Sequence, residues 1–558
     1  MTIQFDEEKQ NKKIDDLHRK EAEDLASLLS NRYGVGYINL TESSISTKAL
    51  KLIPEEIARK ASVAAFKILS RRIAVGVMSP TRQATQNVLK DLESRGYTVK
   101  IYITSQQSLE YAWERYKDIS FTTKTSVGTL NIAEGSIEDF IKQAKESGGA
   151  KKLIDNIKNS KKSFRISKIV EILIAAGITY NASDIHIEPA DSSVPIRFRV
   201  DGVLVEINDF DFDTYKLLLS RIKLLSGMKL NIKKKAQDGR FSVKIAGTDY
   251  EIRSSVLPGN NGESIVMRIL DPASLTVPLK NLGLRPSILS KIIKEVERPN
   301  GMILNTGPTG SGKTTALYSF LSRKNTPGIK IITIENPIEY HLHGIVQTQV
   351  NKKNGYTFAS GLRASLRQDP DVIMVGEIRD EETATTAVQA ALTGHLVFST
   401  LHTNNAAGAF PRLIDLGVDP KILISAINVI IAQRLVRRVC KKCAVKKKLT
   451  GEKLALFEKV YGEIRDVDAP KFNNEVLEAV GCPECNGTGY KGRIGIFEAI
   501  LMDKAVEKAV QENSSARDIN VAALPQKIPN IAQDGLIKVV KQITTMEEIE
   551  RVVDLENL

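Results

Sequence analysis

The stretch Gly301-Met-Ile-Leu304, followed by Gly307-Pro-Thr-Gly-Ser-Gly-Lys313-Thr314, decides the fold of this chain. It satisfies the pattern G-x-x-x-x-G-K-[ST], and an apolar, helix-like segment follows at 315–321. A strand, a glycine-rich loop and a helix in this order are what a phosphate-binding P-loop requires, because its backbone N–H groups wrap the phosphates. Lys313 is expected to reach the β- and γ-phosphate oxygens, and Thr314 to offer a hydroxyl to Mg²⁺. The predicted nucleotide-binding residues are Gly307, Pro308, Thr309, Gly310, Ser311, Gly312, Lys313 and Thr314.

Two other apolar runs end in carboxylates. Ile373-Met-Val-Gly-Glu377 is typical of a Walker B strand, whose acid holds Mg²⁺ through water or polarises the attacking water. Ile331-Ile-Thr-Ile334 leads into Glu335 and Glu339. Three carboxylates at strand ends beside a P-loop favour hydrolysis of the nucleotide over binding alone.

Two histidines, His395 and His402, stand at the ends of a short apolar strand. Their spacing of i and i+7 is not a metal-ligand spacing on one helix, so a zincin-type site is excluded. The position of this strand allows a γ-phosphate sensor.

All four cysteines of the chain lie in two C-x-x-C knuckles, with thirty-eight residues between the knuckles. So few cysteines exclude a disulfide-stapled secreted scaffold. Free buried thiols and a redox dithiol are alternatives, but four thiolates suit a structural, tetrahedral Zn²⁺ with no open position. The predicted zinc ligands are Cys440, Cys443, Cys482 and Cys485.

Composition limits the class of protein. The 558 residues suffice for about three or four domains of roughly 150 residues each, and 42% hydrophobic with 26% charged residues is ordinary for a globular protein. The N-terminus lacks the apolar segment of a signal peptide. The most apolar long stretch, residues 422–432, is too short to span a bilayer. A cytosolic location is therefore expected.

The net charge of +13 is concentrated in runs at 151–168, 229–235 and 437–448. Such runs fit a nucleic-acid or anionic-membrane surface, but solvated faces and a linker are the favoured interpretation. Aromatic residues make up only 6% of the chain and do not interleave with the basic runs, so no platform for stacking single-stranded nucleic acid is predicted.

Sequence patterns divide the chain into several regions. Residues 1–145 predict a small α/β domain, with strands at 73–78 and 99–104 and an N-terminal helix that carries Ile14, Leu17, Leu25 and Leu28 on one face. A linker is expected at 146–163. Residues 164–275 alternate as in an antiparallel sheet, and Asp201-Gly202 predicts a type I′ hairpin turn. From 284 to 558, strands alternate with helices as in a parallel-sheet core.

Taken together, the motifs resemble one family, the ATPases of type II secretion and type IV pilus assembly. The resemblance covers about residues 165–550. It is carried by the P-loop and by the motifs at 182–189, 197–202, 237–240, 262–263 with Arg268, 333–339, 362–379, 392–402, 481–485 and 488–493.

The resemblance implies an α/β fold: a RecA-like P-loop ATPase core with a preceding PAS-like α+β domain, a small α/β N-terminal domain and a four-cysteine zinc insertion at about 436–497. It implies a hexameric ring that hydrolyses ATP with Mg²⁺, nucleotide lying between the PAS-like domain and the core. Glu335 matches the candidate catalytic acid and Glu377 the Walker B acid. The residues that match positions near the phosphates or the neighbouring subunit are Arg253, Arg268, Arg363, Arg367 and His402.

The implied partners are a homohexamer, a polytopic inner-membrane platform protein and an adaptor bound through the N-terminal domain, with the ring in the cytoplasm at the inner membrane.

The sequence departs from the family pattern in two places: Asn336 replaces the usual aspartate, and no Arg-Leu-Gly repeat of cyclic-dinucleotide-binding relatives is found. The segment 52–58 resembles only a generic docking domain.

A RecA-like nucleic-acid translocase is the rival interpretation. The histidine and cysteine motifs argue against it. The intact P-loop and acids count against a non-catalytic scaffold.

Overall fold

The computed structural model describes residues 21–69, 71–116, 129–131, 165–245, 248–271, 277–466, 469–512 and 515–555. They form two compact units, one built mainly from the N-terminal region and one that holds most residues from Val170 onward. The expected linker at 146–163, most of the basic run 151–168, and Ile14 and Leu17 of the expected N-terminal helix lie outside the described residues.

The N-terminal unit is a small α/β structure around a sheet of order β1-β4-β3-β2. Strands β1 and β3 run parallel to β4, whereas β2 is antiparallel to β3. The strands expected at 73–78 and 99–104 are confirmed as β3 and β4. The elements of this part of the chain are α1 (21–33), β1 (Gly36–Tyr37), α2 (Thr47–Leu50), α3 (Glu55–Ala61), β2 (Val63–Leu69), β3 (Arg72–Val77), α4 (Gln83–Ser94), β4 (Thr98–Ile103), α5 (Gln106–Glu114) and β5 (Thr129–Asn131).

The core of this unit is apolar, with Leu40, Leu50 and Trp113 buried. The Trp113 indole N–H donates to the Val63 carbonyl at 3.0 Å, which satisfies its one polar atom. On α1, Leu25 and Leu28 are largely exposed.

An antiparallel sheet, most of whose residues belong to the second unit, has the strands β9-β10-β11-β6-β7-β8 as neighbours in this order. Asp201 and Gly202, between β7 and β8, both have positive φ, 50° and 88°, which confirms the type I′ turn. The elements are α6 (Arg165–Thr179), β6 (Ala182–Ile187), β7 (Val194–Val200), β8 (Val203–Phe210), α7 (Phe212–Leu225), β9 (Gln237–Ile245), β10 (Thr248–Gly259) and β11 (Gly262–Leu270).

A mainly parallel sheet of order β14-β13-β15-β16-β12-β17-β20 follows, in which only the pairing of β17 with β20 is antiparallel. Its elements before the cysteines are α8 (Pro286–Glu297), β12 (Gly301–Thr306), α9 (Lys313–Lys324), β13 (Ile331–Glu335), β14 (Val346–Gln349), α10 (Phe358–Ser365), β15 (Val372–Val375), α11 (Glu381–Leu392), β16 (Leu396–Leu401), α12 (Ala409–Asp415), α13 (Pro420–Ala426) and β17 (Ile427–Val439).

Every residue of β12, β13, β15 and β16 is buried, as expected for parallel strands covered by helices on both faces. Leu304 belongs to the apolar cluster on one face of the sheet and Ile303 to the cluster on the other. The carboxyl ends of these strands therefore meet at one edge of a rigid layer. No helix among the described residues is long and apolar enough to cross a membrane.

The cysteine insertion lies between β17 and β20, whose own residues belong to the main sheet. Its two-stranded sheet pairs β18 with β19, and its helix packs Phe457 against Phe472 with ring centroids 4.1 Å apart. The elements from here to the C-terminus are β18 (Val445–Lys448), α14 (Gly451–Gly462), β19 (Glu475–Glu478), β20 (Tyr490–Leu501), α15 (Lys504–Glu512), α16 (Ala516–Ala523), α17 (Ile531–Val540) and α18 (Met546–Val552), with short 3₁₀ turns at Leu279–Asn281, Lys352–Asn354, Leu366–Gln368, Pro483–Cys485 and Leu524–Gln526.

A buried ion pair fastens α7 to the antiparallel sheet. Lys223 Nζ lies 2.6 Å from Glu263 Oε1, and the two side chains are 2% and 9% exposed. The same ammonium donates to the Ile232 carbonyl at 3.0 Å, so it also holds the loop that carries the basic run 229–235.

Replacing Lys223 with Ala should lower the free energy of unfolding by about 3–5 kcal/mol, because the Glu263 carboxylate would be left buried without its partner. The double variant Lys223→Met with Glu263→Leu should be closer to wild type, since it removes both charges. Urea titrations followed by circular dichroism measure both. Equal losses in the single and the double variant would contradict this account.

Candidate nucleotide site and metal centre

The P-loop leaves the buried strand β12 through three glycines with positive φ. Gly307, Gly310 and Gly312 have φ of 148°, 79° and 87°. A Cβ atom at Gly307 would lie 2.4 Å from the Gln433 carbonyl oxygen and 2.9 Å from Ser311 Oγ, so a side chain does not fit there. The loop is thus packed against β17 and opens into the N-terminus of α9, where free N–H groups favour anions.

Lys313 is the first residue of α9, and its ammonium lies over the loop. Nζ donates to the carbonyls of Gly307 at 2.7 Å and Pro308 at 3.0 Å. Burial lowers the pKa of Lys313 to about 8, and the negative charge of Glu377 opposes this effect. A phosphate oxygen would offer this ammonium a charged acceptor in place of two carbonyls.

Two buried polar atoms beside the loop point to a polar ligand. Ser311 Oγ and Asn305 Oδ1 are buried and have no hydrogen-bond partner within the described part of the chain. Buried polar atoms are nearly always paired in folded proteins, so these two mark a place where a ligand or water completes the bonding.

Glu377 follows β15 and lies close to His402, which follows β16. Its Oε2 is 2.7 Å from Arg379 Nε and 3.8 Å from His402 Nε2. Burial and the positive charge of Lys313 lower the pKa of His402, while Glu377 raises it. The imidazole is therefore neutral near pH 7. A cleft of about 470 Å³ opens beside these groups and is lined by Ile378, Arg379, Leu401, His402 and Arg412.

Glu335, the last residue of β13, has a different environment. It is 3% exposed. Its Oε1 accepts hydrogen bonds from Thr333 Oγ1 at 2.6 Å and from Gln347 Nε2 at 3.0 Å, and its Oε2 accepts one from the Tyr318 hydroxyl. Neither Tyr318 nor Gln347 is recognisable from the sequence as a partner of this carboxylate. Tyr318 lies in an apolar helical run, and that pattern indicates only a core residue.

The two arginines expected to reach the phosphates are directly opposite each other on β10 and β11. Arg253 Nη1 donates to Glu339 Oε2 at 2.7 Å, and its Nη2 donates to the Ile338 carbonyl at 2.6 Å. Arg268 Nε instead donates to Asp184 Oδ1 of β6 at 3.0 Å, with its side chain 56% exposed. Arg253 thus links the antiparallel sheet to the loop after β13.

Arg363 on α10 and Arg367 in the following 3₁₀ turn are exposed. Arg363 pairs with Glu382 of α11, and Arg367 Nη1 donates to the Arg363 carbonyl at 2.9 Å. Both guanidinium groups lie on the surface of the unit, where a second molecule can contact them.

The four cysteine sulfurs converge, although the two knuckles are far apart in sequence. All four lie within 4.8 Å of one another, and three of the Sγ–Sγ distances are 3.9 Å (Cys440–Cys482), 3.8 Å (Cys443–Cys485) and 3.7 Å (Cys482–Cys485). Ligands of a tetrahedral ion with Zn–S bonds of about 2.3 Å lie about 3.8 Å apart. The cluster therefore fits a metal ion without rearrangement.

Backbone donors support thiolates at this cluster. The N–H groups of Cys482 and Gly489 point to Cys485 Sγ at 3.1 and 3.2 Å, and that of Gly481 points to Cys443 Sγ at 3.4 Å. Burial of the Cys485 thiol raises its pKa, but the hydrogen bonds from the backbone of Cys482 and Gly489, together with those of the Cys482 and Cys443 side chains, outweigh burial and lower the pKa to about 7.

Comparison with known proteins identifies the family. The family model described as "Type II/IV secretion system protein" matches residues 159–551. This chain belongs to that family. It is 44% identical to the type II secretion system protein E of Aeromonas hydrophila over 75% of this chain and 81% of the relative. It is 36% identical to the type IV pilus assembly ATPase PilB of Myxococcus xanthus over 94% of this chain and 90% of the relative.

A solved structure supports the fold alone: the ATPase DotB of Yersinia pseudotuberculosis, at a TM-score of 0.51 and 20% identity, covers 71% of this chain and 95% of that one. A second family model, that of the MshEN domain, matches residues 33–122. That region lies in the N-terminal domain, whose segment 52–58 resembles only a generic docking domain in sequence.

Family membership confirms the resemblance and the mixed α/β fold class inferred from sequence, with a RecA-like ATPase core and a small N-terminal domain before it. Because it belongs to this family, the chain is an ATP-hydrolysing motor ATPase. The alternative of a nucleic-acid translocase is not favoured, since the relatives are named for secretion and pilus assembly.

Gly307→Ala should weaken ATP binding by about five- to 150-fold, because the new Cβ collides with the backbone of β17 and the strain of about 1–3 kcal/mol displaces the loop. Gly328→Ala is the matched control, since a Cβ there meets nothing within 4 Å. Titration with a fluorescent ATP analogue measures both. Equal affinities in the two variants would contradict the steric argument.

Proposed function

We propose that this chain is a cytoplasmic motor ATPase that works as a homohexameric ring at the inner membrane and drives assembly of a type IV pilus or a type II secretion pseudopilus. The observation that carries the proposal is the meeting of Lys313, Glu377 and His402 at the carboxyl ends of adjacent parallel strands, in a chain of this family. Each of these three side chains contributes to phosphoryl transfer.

ATP is held by the loop 307–314, whose N–H groups surround the phosphates, while the Lys313 ammonium moves from the loop carbonyls to the phosphate oxygens. The Thr314 hydroxyl and the Glu377 carboxylate provide the hard oxygen ligands that suit Mg²⁺. Bound there, Mg²⁺ neutralises charge on the phosphates. The neutral imidazole of His402 provides a hydrogen-bonding group for the γ-phosphate.

Hydrolysis transfers the γ-phosphoryl group to water. The water oxygen attacks the γ-phosphorus, the bond from phosphorus to the bridging oxygen breaks, and ADP leaves with that electron pair. Glu335 accepts the proton that the water loses, and the proton then passes to the phosphate product. Glu377 stays beside Lys313, where it would hold Mg²⁺.

Movement of the PAS-like domain depends on the two arginines of the antiparallel sheet, Arg253 and Arg268. Arg253 bonds to Glu339 and the Ile338 carbonyl. A γ-phosphate competes for this guanidinium and for Arg268, so ATP favours closure of the PAS-like domain over the core and loss of phosphate reverses it. Arg363 and Arg367 contact the neighbouring subunit of the ring. Successive closures around the ring turn a polytopic platform protein in the membrane, while the N-terminal domain binds an adaptor.

Lys313→Ala should abolish ATP hydrolysis, and Glu377→Gln should keep ATP binding but lower turnover by about 10²–10⁴-fold, since it keeps side-chain size and removes the charge. Phosphate-release assays with nucleotide-binding titrations separate the two effects. Turnover at the wild-type rate in Lys313→Ala would show that this loop is not the active site. DNA-stimulated, salt-sensitive turnover would instead support a translocase.

The cysteine cluster holds one structural Zn²⁺ per chain, because all four ligands are sulfur and no position is left for water. Elemental analysis of protein purified without chelator should find zinc at a ratio of one. Cys440→Ser should lose the zinc and destabilise the insertion while ATP still binds. Protein with no zinc in wild type would contradict the assignment.

A further inference from the structure

The carboxylate of Glu335 is almost fully occupied by hydrogen-bond donors. A carboxylate offers about four acceptor positions, two on each oxygen. Among the described residues, Oε1 accepts from Thr333 and Gln347, and Oε2 accepts from Tyr318. About one position remains, and it lies on Oε2, the oxygen that Tyr318 holds.

Tyr318 brings the P-loop helix to this carboxylate. It is on α9, five residues after Lys313, and is 1% exposed. Its ring meets the ring of Tyr340 edge to face, with centroids 4.5 Å apart. The helix that carries the phosphate-binding lysine is therefore tied to the end of β13 through one hydroxyl group.

The environment of Glu335 keeps the Tyr318 hydroxyl protonated, so this hydroxyl is a hydrogen-bond donor to the carboxylate. Burial and the negative charge of Glu335 raise the pKa of Tyr318, and the same two causes raise the pKa of Tyr340. Thr333 and Gln347 face the carboxylate with neutral donors. Tyr318 therefore keeps its proton, and its hydroxyl donates to Glu335 Oε2, while a backbone hydrogen bond from Glu339 to the same hydroxyl opposes the rise in its pKa.

We infer that Tyr318 is a positioning residue for hydrolysis: its hydroxyl fixes Glu335 Oε2 so that the single remaining acceptor position of the carboxylate is the one that receives the proton of the attacking water. The inference rests on the proposed function, since it concerns the acid that accepts this proton. Tyr318 is buried and acts through Glu335.

The test compares Tyr318→Phe with Ser319→Ala, each alone and in a Glu335→Gln background. Phe keeps the ring and removes only the hydroxyl. Ser319 is the next residue of α9, and its hydroxyl donates to the carbonyls of Val277 at 2.7 Å and Thr315 at 2.8 Å, so its loss controls for removal of a hydroxyl from this helix. The measurements are kcat, KM and the affinity for a fluorescent ATP analogue.

Tyr318→Phe should lower kcat by about tenfold or more, as expected for a lost hydrogen bond to a charged group, and should leave analogue affinity unchanged. In the Glu335→Gln background the same substitution should add little, because the group on which it acts is already lost. Ser319→Ala should keep wild-type kcat.

An unchanged kcat in Tyr318→Phe, an equal loss in both backgrounds, or lost analogue binding would each overturn the inference. The proposed function fails separately. If Lys313→Ala is inactive while Tyr318→Phe is normal, only the inference is wrong, whereas turnover in Lys313→Ala removes both.

Discussion

The turn from β12 into α9 is the constraint on which the rest of the structure depends. Three glycines with positive φ let the backbone close on itself, and the backbone of β17 at Gln433 leaves no room for a side chain at Gly307. Such a turn keeps its shape only on a rigid support, and the fully buried strand between β16 and β17 provides one. The acids and the histidine at neighbouring strand ends acquire their positions from the same layer.

The strand β17 connects this turn to the cysteine insertion. Gln433, in its middle, lies against the P-loop, and Cys440 follows its last residue. Arg437 is held by Glu548 of α18 at 2.7 Å and lies 3.9 Å above the ring centroid of Tyr490 on β20. At the other side of the insertion, Arg285 pairs with Asp466 and, at 2.9 Å, with Asp534. A metal ion held by the four cysteines would stiffen the strand pair, β17 and β20, that supports the nucleotide loop.

Short sequence patterns predicted the features whose conformation depends mainly on neighbouring residues. The alternation at 196–200 and the Asp201-Gly202 turn are readable because a type I′ hairpin needs positive φ at two adjacent residues. The P-loop can be predicted from the sequence for the same reason, because its turn also needs residues with positive φ. The four cysteines are readable as two knuckles, because the knuckle spacing itself reflects tetrahedral sulfur ligation.

Contacts between distant elements were beyond such patterns. The carboxylate of Glu335 is shaped by α9, β13 and β14 together, and nothing near Tyr318 in sequence indicates a polar role. Arg253 is expected near phosphate from its sequence position, and without nucleotide it bonds to Ile338 and Glu339, which are 85 and 86 residues away. Arg268 is expected there too, and without nucleotide it bonds to Asp184 of its own sheet. Only the assembled sheets decide which acceptor each guanidinium reaches.

The central claim is that ATP draws the PAS-like domain toward the core by competing for Arg253. It is tested most directly by the distance between spin labels attached through non-cysteine chemistry at the exposed positions Glu206 and Lys421, measured with and without a non-hydrolysable ATP analogue. The account predicts a shift to a shorter, narrower distance distribution with the analogue, and loss of that shift in Arg253→Ala. The same distribution with and without the analogue in wild type would contradict it.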